Sequence, residues 1–275
     1  MLFVPADRPE RIGKALASGA DAVIVDLEDA VARSAKVAAR QALDSAIPPR
    51  SQRPRPIFLR INDVTTPWWR HDLATATAIG ADGVMVPKLE DTEQLVLVRC
   101  AMAEDGCAAE LIAILETARG LRNGHDIMSD GPTRTNLGVG DLSRDLGLTL
   151  DRDEVIIAPY RAKIVLDARA AGAPAPLDTV WPDLADEAGL AASAARAQAM
   201  GFGGKLAIHP KQIAPINAAF TPTAAALGKA RRVAAAFDEA EASGNAAIEV
   251  DGEFVDYPVA ERARAIVALG EFYDV

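Results

Sequence analysis

Two carboxylates stand at the ends of two short apolar runs, and these residues are well suited to chemistry. Glu116 follows the run 111–115, and Asp141 follows the run 136–140. A short, continuously hydrophobic run is typical of a strand of a parallel sheet, buried on both faces. An ionised carboxylate at the end of such a strand is costly to desolvate unless a cation meets it. The pair therefore predicts half of a hard-cation site, for which oxygen ligands suit Mg²⁺, or Mn²⁺, better than Zn²⁺.

A structural interpretation of the two acids stays open. Each could cap the helix that follows it, or pair with a nearby arginine, since Arg119 and Arg144 are close in sequence. In that case neither carboxylate would be available to a metal ion.

Further charged residues follow other apolar runs. Arg60 places a permanently charged fork at a strand end, which suits bidentate binding of a carboxylate, although a salt bridge with a site acid is the alternative. Asp26, Glu28 and Asp29 crowd one loop, and they repel one another unless a cation or arginines offset them. For Glu28 and Asp29 a solvated turn is the alternative.

Lys88 and His209 also follow apolar runs. Lys88 could form a Schiff base if desolvation lowered its pKa, but the many acids nearby favour a charged ammonium. His209 could be a base, whereas a histidine followed by Pro210 at a strand end is more often structural or packs against a ligand. We rank both below the acids.

The bulk composition excludes several classes of function. The chain has 275 residues, with 39 acidic against 29 basic side chains and a formal charge of −10, which opposes binding to nucleic acid or to an anionic membrane. Cys100 and Cys107 fit no zinc pattern and make no disulfide framework, so we expect a reducing, cytoplasmic compartment. The start of the chain lacks a basic export signal, and no apolar run approaches the ~20 residues of a membrane helix.

Apolar runs alternate with helix-patterned, Ala-rich stretches, as expected of βα units. Eight such runs are present, at residues 2–5, 22–27, 57–61, 83–87, 111–115, 136–140, 177–180 and 204–208. Eight units close naturally into an α/β (β/α)₈ TIM barrel, whose chemistry lies at the carboxyl ends of the strands. A doubly wound sheet would instead concentrate its ligands at one switch point. Because polar residues follow nearly every run, we predict the barrel.

We predict that residues 1–220 form the barrel and that residues 221–275 form a C-terminal extension, which acts as a lid and in oligomerisation. The extension contains helical patterns at 223–243 and 258–272, separated by a polar, turn-rich segment at 244–257. No low-complexity linker separates it from the rest, so we interpret it as an appendage rather than an independent domain.

The motifs, taken in order, resemble a known family. They are Leu2-Phe3-Val4-Pro5 with Arg8-Pro9-Glu10-Arg11 and Lys14, Asp26-Leu27-Glu28-Asp29-Ala30-Val31, Arg60-Ile61-Asn62, Pro87-Lys88, Glu116-Thr117-Ala118-Arg119-Gly120, Asp141-Leu142 with Asp145-Leu146-Gly147, Gly204-Lys205 with Ile208-His209-Pro210, and Val255-Asp256-Tyr257-Pro258. Together they resemble the citrate lyase β-subunit-like proteins of the HpcH/HpaI aldolase group. The resemblance implies a TIM barrel in which Glu116 and Asp141 bind Mg²⁺ and Arg60 holds the carboxylate of a coenzyme A thioester.

The candidate residues divide by role. The candidate catalytic residues are Arg60, Asp26, Glu28 and Asp256. The candidate coenzyme-binding residues are Phe3, Arg8, Lys14, His209 and Pro210, with Arg8, Arg11 and Lys14 at helical spacing to meet an anionic tail. In the resembling lyases an Asp in the motif of Asp256 is supplied across a subunit interface for proton transfer, while an N-cap before Pro258 is the alternative.

The resulting functional prediction is a Mg²⁺-dependent carbon–carbon lyase in a homo-oligomer, a trimer or a hexamer. It would cleave or form a 3-hydroxyacyl-CoA such as citryl-, malyl- or citramalyl-CoA, with an acyl-CoA and a 2-oxo acid as the other side of the reaction. One alternative is a coenzyme A-independent pyruvate-type aldolase of the same superfamily. Another is a non-catalytic relative that binds a small acid.

Overall fold

The computed structural model describes residues 1–131 and 133–273 of the chain. The chain divides into two compact units, Met1–Ile216 and Asn217–Val275. The first unit contains the candidate metal site and the second contains Asp256, so each is described by itself.

The first unit is built on an eight-stranded parallel sheet whose strands follow the order of the sequence. The strands are β1 (Leu2–Pro5), β2 (Val23–Asp26), β3 (Ile57–Arg60), β4 (Gly83–Val86), β5 (Glu110–Leu115), β6 (Arg134–Leu137), β7 (Leu177–Asp178) and β8 (Gly204–Lys205). A parallel bridge joins Leu2 to Ala207, just beyond β8. The amide of Phe3 donates to the carbonyl of Ala207 at 2.8 Å, so hydrogen bonds also link the first strand to the last segment of the sheet.

Apolar side chains fill the interior of this sheet. All four residues of β2 and of β4 are buried, as the continuous apolar runs predict. Phe58 packs where Gly83 has no side chain, because a Cβ on Gly83 would lie 2.0 Å from the Phe58 ring. The interior cluster consists of Ala22, Ile24, Phe58, Met85, Ile112, Ile114, Leu177 and Leu206.

Helices connect the strands, and one further helix follows β8 and ends in the second unit. They are α1 (Ile12–Leu16), α2 (Lys36–Ala46), α3 (Trp69–Ala78), α4 (Thr92–Glu104), α5 (Ala118–Arg122), α6 (Gly124–Ser129), α7 (Val139–Leu146), α8 (Ala158–Ala170), α9 (Glu187–Met200) and α10 (Ile213–Phe220). Asp91, Thr117 and Asp186 cap α4, α5 and α9 by accepting backbone N–H groups, so their side chains fix where these helices begin.

The sixth strand is shifted from its predicted position. The sequence placed it at residues 136–140, whereas β6 ends at Leu137 and α7 begins at Val139. Val139 and Leu142 are buried at helical spacing, and this packing makes the last part of the apolar run helical. Asp141 therefore lies in the first turn of α7 and not at a strand end. In this first turn the positive end of the helix dipole favours a carboxylate.

The second unit contains two helices and a hairpin. They are α11 (Ala224–Ala242), β9 (Ala247–Val250), β10 (Glu253–Asp256) and α12 (Tyr257–Phe272). Asp251 and Gly252 both have positive φ, the conformation that a tight two-residue hairpin turn requires. Phe237, Val255 and Ala260 are at the centre of its own small core. Across the described residues of both units, no helix is long and apolar enough to cross a membrane.

Candidate active site

Three carboxylates converge at the carboxyl end of the sheet. Glu28, Glu116 and Asp141 each offer one oxygen, and these oxygens lie within 4.8 Å of one another. Glu28 follows β2, Glu116 follows β5, and Asp141 belongs to α7. Three oxygen donors that leave room for water or substrate fit Mg²⁺. The structure thus brings together the two predicted metal ligands and adds Glu28, which the sequence placed among the catalytic residues.

Burial makes Glu28 and Glu116 hard to ionise together. Glu116 is 5% exposed, and its burial, followed by the charge of Glu28, raises its pKa to about 8. Burial also raises the pKa of Glu28, against the lowering effect of Arg60 and Lys88. Carboxyl groups in this state are poised to exchange protons for a cation.

Lys88 compensates part of the negative charge. Its ammonium group contacts Glu28 and lies 3.1 Å from Asp141, while its backbone N–H donates to Glu116 at 3.0 Å. Burial lowers the pKa of Lys88, but the hydrogen bond and charge of Glu28 and the charge of Glu116 raise it more, so the pKa lies above its ordinary value. Lys88 therefore stays charged and is unsuited to an imine.

Lys88 also has an unusual backbone, with φ at 51°. Non-glycine residues in this left-handed region are uncommon and cluster at functional sites. From the sequence, Lys88 was expected to stay charged near several acids, but it was not named as a site residue. The available signal was a lysine two residues beyond a buried strand, next to Pro87.

Arg60 is held by the acids of the β2 loop. Its Nε and Nη2 donate to Asp26 at 2.7 and 2.6 Å, its Nη1 lies 2.9 Å from Glu28, and its guanidinium stacks 4.9 Å from the Phe3 ring centroid. The alternative salt bridge is thus present. A guanidinium has five N–H donors, so Nη1 and Nη2 keep donors beyond these contacts.

Asp26 is committed to supporting this arrangement. It is 1% exposed, and besides Arg60 it accepts the backbone N–H groups of Glu28 at 2.9 Å and Ala30 at 3.1 Å. Four hydrogen bonds use the four acceptor positions of a carboxylate. The role open to Asp26 is therefore to orient Arg60. Asp29, by contrast, has a side chain that is 67% exposed, in agreement with the solvated-turn interpretation.

The alternative pairings hold for one acid and not for the other. Arg144 lies 2.8 Å from Asp141, but its side chain is 75% exposed, so water screens the pair strongly. Arg119 instead pairs with Asp91 at 2.7 Å, and Thr117 rather than Glu116 caps α5. Glu116 thus has no arginine partner or capping role among the described residues.

A cavity of about 440 Å³ is lined by two of the three carboxylates, Glu116 and Asp141, and is called here the catalytic cavity. Arg60, Glu116 and Asp141 line its polar side. The apolar lining consists of Phe3, Pro5, Ala30, Ile114, Leu137, Val139, Val180, Leu206 and Ile208. A polar and an apolar side in one cavity suit a small acid with a hydrocarbon part.

A neighbouring cavity of about 370 Å³ collects most of the candidate coenzyme-binding residues. Phe3, Lys14, His209 and Pro210 line it together with Arg11. Arg8 is exposed and does not line this cavity, so Arg11 is the arginine that accompanies Lys14 here. His209 Nδ1 accepts the Lys211 N–H at 3.2 Å and caps the turn Pro210–Gln212, which is a structural role.

Asp256 belongs to the second unit, where it is the last residue of β10. Its side chain accepts the Val259 N–H at 3.3 Å and caps α12. The alternative N-cap interpretation is therefore observed, and the proton-transfer role stays a prediction.

A family model for HpcH/HpaI aldolase/citrate lyase matches residues 1–210. The chain belongs to this family. It is similar to a (3S)-malyl-CoA thioesterase of Cereibacter sphaeroides, at 34% identity over 98% of this chain and 94% of that protein. It is also similar to the citrate lyase subunit beta of Leuconostoc mesenteroides, at 32% identity over 98% and 92%.

Solved structures are similar to this chain over most of its length. The CitE protein of Mycobacterium tuberculosis, crystallised with magnesium, acetoacetate and coenzyme A, matches with a TM-score of 0.83 at 36% identity, over 98% of this chain and 97% of that one. A further structure from M. tuberculosis is a citrate lyase beta subunit complexed with oxaloacetate and magnesium, with a TM-score of 0.70 over 80% of this chain and 96% of that one. The predicted family is thus confirmed.

Proposed function

We propose that this protein is a Mg²⁺-dependent enzyme acting on coenzyme A thioesters, and that its reaction breaks or forms a carbon–carbon bond between an acyl-CoA and a 2-oxo acid. The observation that carries the proposal is the cluster of Glu28, Glu116 and Asp141, of which Glu116 and Asp141 line one cavity together with Arg60. The names and ligands of the relatives, which include malyl-CoA, coenzyme A, oxaloacetate and magnesium, support this choice.

Each residue has a defined task in this scheme. Glu116 and Asp141 would hold Mg²⁺, with Glu28 as a third oxygen donor, and the bound ion would polarise the substrate oxygens and stabilise a deprotonated hydroxyl. The remaining Nη1 and Nη2 donors of Arg60 bind the carboxylate next to that hydroxyl. Lys88 offsets the charge of the acids, which keeps the site from repelling an anionic substrate.

In the cleavage direction the substrate hydroxyl gives its proton to solvent, and the bond between C2 and C3 of the acyl chain breaks. Its electron pair passes to the thioester as an enolate, and the former carbinol carbon becomes the carbonyl of the 2-oxo acid. The enolate then takes up a proton. We propose that Asp256 of a second copy of the chain supplies it, in a homo-oligomer whose C-terminal unit acts as a lid over a closed (β/α)₈ barrel.

The cytoplasmic location likewise stays a prediction.

Hydrolysis of the thioester is the second candidate, because a relative at 34% identity is named a thioesterase. The two reactions give different products from the same substrate. Malyl-CoA, citramalyl-CoA and citryl-CoA are each incubated with enzyme and Mg²⁺, and the products are separated by chromatography. An acyl-CoA with an equimolar 2-oxo acid supports the lyase. Free coenzyme A with the intact hydroxy acid supports the hydrolase.

The control for this assay is Asp141→Ala, which removes a carboxylate that is partly exposed and is therefore expected to fold. Loss of both activities in Asp141→Ala, with unchanged thermal unfolding, ties the reaction to the carboxylate trio. Cleavage of free 4-hydroxy-2-oxo acids without any action on thioesters would support the pyruvate-type aldolase. Binding of acids without turnover of any substrate would support the non-catalytic alternative.

A further inference from the structure

Lys36 is a buried lysine at the first position of α2, and the proposed reaction assigns it no task. It is 5% exposed, yet it forms no ion pair among the described residues. Lysines are rarely buried to this extent without a partner that compensates their charge. Lys205, which is 1% exposed, follows this rule, because its ammonium group lies 2.5 Å from Asp178. The burial of Lys36 therefore indicates a use for its ammonium group.

The Lys36 ammonium group binds two backbone carbonyls in the loop that follows β2. Its Nζ donates to the carbonyl oxygen of Leu27 at 2.8 Å and to that of Glu28 at 2.9 Å. It also lies 5.5 Å from the centroid of the Trp68 ring, where a cation–π interaction favours it. Hydrogen bonds from a charged donor are roughly twice as strong as neutral ones. Lys36 thus holds this loop more firmly than a neutral side chain would.

Glu28, the third oxygen donor of the candidate metal site, is the residue that these contacts fix. The Leu27 carbonyl belongs to the peptide group before Glu28 and the Glu28 carbonyl to the one after it, so Lys36 holds both peptide groups that flank this residue. Asp26 accepts the Glu28 N–H at 2.9 Å and adds a further restraint. With its backbone fixed, the Glu28 carboxylate moves only through its side-chain torsions.

Charge and position have opposite effects on a metal ion here. A positive charge close to the site repels a divalent cation, so the charge of Lys36 by itself weakens Mg²⁺ binding. The hydrogen bonds of Lys36 go to carbonyl oxygens and take no acceptor position of the Glu28 carboxylate. A fixed Glu28 backbone strengthens Mg²⁺ binding, because the ligand then needs less ordering when the ion arrives.

We propose that Lys36 is a positioning residue, which fixes the loop after β2 so that the Glu28 carboxylate completes the Mg²⁺ site with Glu116 and Asp141. The inference rests on the proposed function, because it takes Glu28 to be the third oxygen donor. Groups that orient metal ligands commonly contribute about 10- to 100-fold to metal affinity. Lys36 acts in this way through the Glu28 backbone.

Lys36→Met tests the proposal by the affinity for Mg²⁺, measured by calorimetry. Met has a similar length, no donor and no charge. The measurement is made at about pH 9, above the Glu116 pKa of about 8, so that proton release contributes little. We expect Lys36→Met to bind Mg²⁺ roughly tenfold more weakly than the parent. Loss of the charge alone would strengthen the binding, so the sign of the change separates the two effects.

Lys36→Met is expected to fold, because each of the two carbonyls keeps another donor. Asn62 Nδ2 lies 3.1 Å from the Leu27 oxygen. The Val31 N–H donates to the Glu28 oxygen at 3.0 Å. If Lys36→Met does not fold, Lys36→Gln carries the same test, because its shorter, uncharged amide fills the space without reaching both carbonyls.

Leu43→Ala is the matched control for a merely structural role. Leu43 is fully buried on the same helix as Lys36, and its loss weakens the packing of α2 without removing a hydrogen bond from the loop. We expect Leu43→Ala to unfold at a lower temperature and to bind Mg²⁺ as the parent does. Lys36→Arg, which keeps charged donors, should bind Mg²⁺ more tightly than Lys36→Met.

A double-mutant cycle tests whether the effect passes through Glu28. Glu28→Gln should itself weaken Mg²⁺ binding, because it removes the charge of the third donor. If Lys36 acts through Glu28, adding Lys36→Met to Glu28→Gln should change the Mg²⁺ affinity by less than about twofold. Additive losses in the double variant would place the effect of Lys36 elsewhere and overturn the proposal.

The outcomes distinguish two failures. If the parent binds Mg²⁺ and Lys36→Met binds it equally well or better, or if Leu43→Ala loses as much affinity as Lys36→Met, Lys36 is not a positioning residue and the proposed function stands. If the parent does not bind Mg²⁺, the proposed function itself fails and the role of Lys36 fails with it.

Discussion

The Glu116 carboxyl group is unfavourable in its ionised form, although metal binding requires that form. It is buried among other acids, yet it has no arginine partner among the described residues. Burial and the nearby charge of Glu28 favour the protonated form of Glu116. Its pKa of about 8 means that the carboxyl group ionises close to neutral pH. A divalent cation reverses the preference, because it interacts only with the ionised form.

Mg²⁺ binding should therefore release protons. Below pH 8 the Glu116 carboxyl carries a proton that the ion displaces, so the affinity for Mg²⁺ should rise by roughly tenfold per pH unit between pH 6 and 8 and then level off. Calorimetry in two buffers with different ionisation enthalpies measures the number of protons released. Affinity that is flat over this range would contradict the prediction.

The raised pKa of Glu116 also makes the stability of the fold depend on pH. A carboxyl whose folded pKa of about 8 exceeds its ordinary value of 4.5 stabilises the fold below pH 4.5 and loses this contribution as the pH rises through 8. Glu116→Gln should accordingly raise the melting temperature of metal-free protein at pH 8 and change it little at pH 4.5. The same variant should bind Mg²⁺ at least tenfold more weakly.

Arg60 should be sensitive to a change that preserves its charge. Lys at this position cannot reproduce the two hydrogen bonds to Asp26 or keep further donors for the substrate. Because charged hydrogen bonds contribute about 1.5–3 kcal/mol each, we expect Arg60→Lys to raise KM for the 2-oxo acid by roughly 10- to 100-fold. Mg²⁺ affinity should change little. Kinetics equal to those of the parent with every substrate would make Arg60 a structural residue.

At the scale of the elements, the tight passage from β6 to α7 positions the carboxylate trio. Gly138 lies between the two elements, and a Cβ there would be 2.5 Å from both the Cβ and the Oε2 of Glu116. Gly138 is therefore needed for the close approach of the backbone to the metal ligand, and not for a positive φ.

Gly138→Ala should push Glu116 away from the other two acids. We expect at least a tenfold loss of Mg²⁺ affinity and a destabilisation of about 1–3 kcal/mol, as is usual for overpacking a buried position. Gly140→Ala is the matched control two residues away, since a Cβ on Gly140 would meet nothing within 4 Å. Equal Mg²⁺ affinities in the two variants would show that the glycine is not required by Glu116.

The sequence predicted the elements well where one pattern acted alone. The strand Leu2–Pro5 lies at its predicted residues, and Ile57–Arg60 and Gly83–Val86 each end one residue before the predicted end, because these apolar runs match a buried strand. The predicted end of the sixth strand at residue 140 was wrong, because an apolar run fits a buried strand and a buried helix equally well. The hairpin of β9 and β10 was missed, although Asp251 and Gly252 between alternating residues are a recognised hairpin signal.

The sequence predicted which residues belong to the site better than it predicted the contacts between their side chains. Position after a buried strand identified Glu116, Arg60 and Lys88, because the carboxyl ends of parallel strands meet at one edge. Pairing across the sheet depends on distances between strands that are far apart in sequence. For this reason the sequence could not show that Asp26 holds Arg60, nor that Lys88 bridges Glu28 and Asp141.

At the scale of the whole molecule, the proton donor is the open question. The trio Glu28, Glu116 and Asp141 is assigned to the metal ion, and Asp26 uses its four acceptor positions. These acids are therefore poorly placed to protonate an enolate. Asp256 is the candidate that the sequence singled out, and its cap of α12 places it at the start of a helix in the second unit.

The choice of variant can separate the helix-capping role of Asp256 from its proposed role as proton donor. Asp256→Asn keeps a side-chain oxygen for the Val259 N–H but cannot transfer a proton. Thr223→Ala removes the cap of α11 in the same unit without touching an acid, so it serves as the matched control for the loss of about 1 kcal/mol of helix stability. We expect Asp256→Asn to lose most of its lyase activity while it unfolds like the parent, and Thr223→Ala to stay active.

Mixing of subunits then tests whether Asp256 acts across an interface. Asp256→Asn and Glu116→Ala chains, each inactive alone, are combined under conditions in which labelled subunits are shown to exchange. If the acid is supplied by a second copy, some mixed oligomers pair an intact metal site with an intact Asp256, and activity should return to a fraction set by the mixing ratio. If exchange is demonstrated and no activity returns, Asp256 either serves the metal site of its own chain or takes no part in the reaction. The activity of Thr223→Ala then shows whether loss of a helix cap alone accounts for the loss of activity in Asp256→Asn.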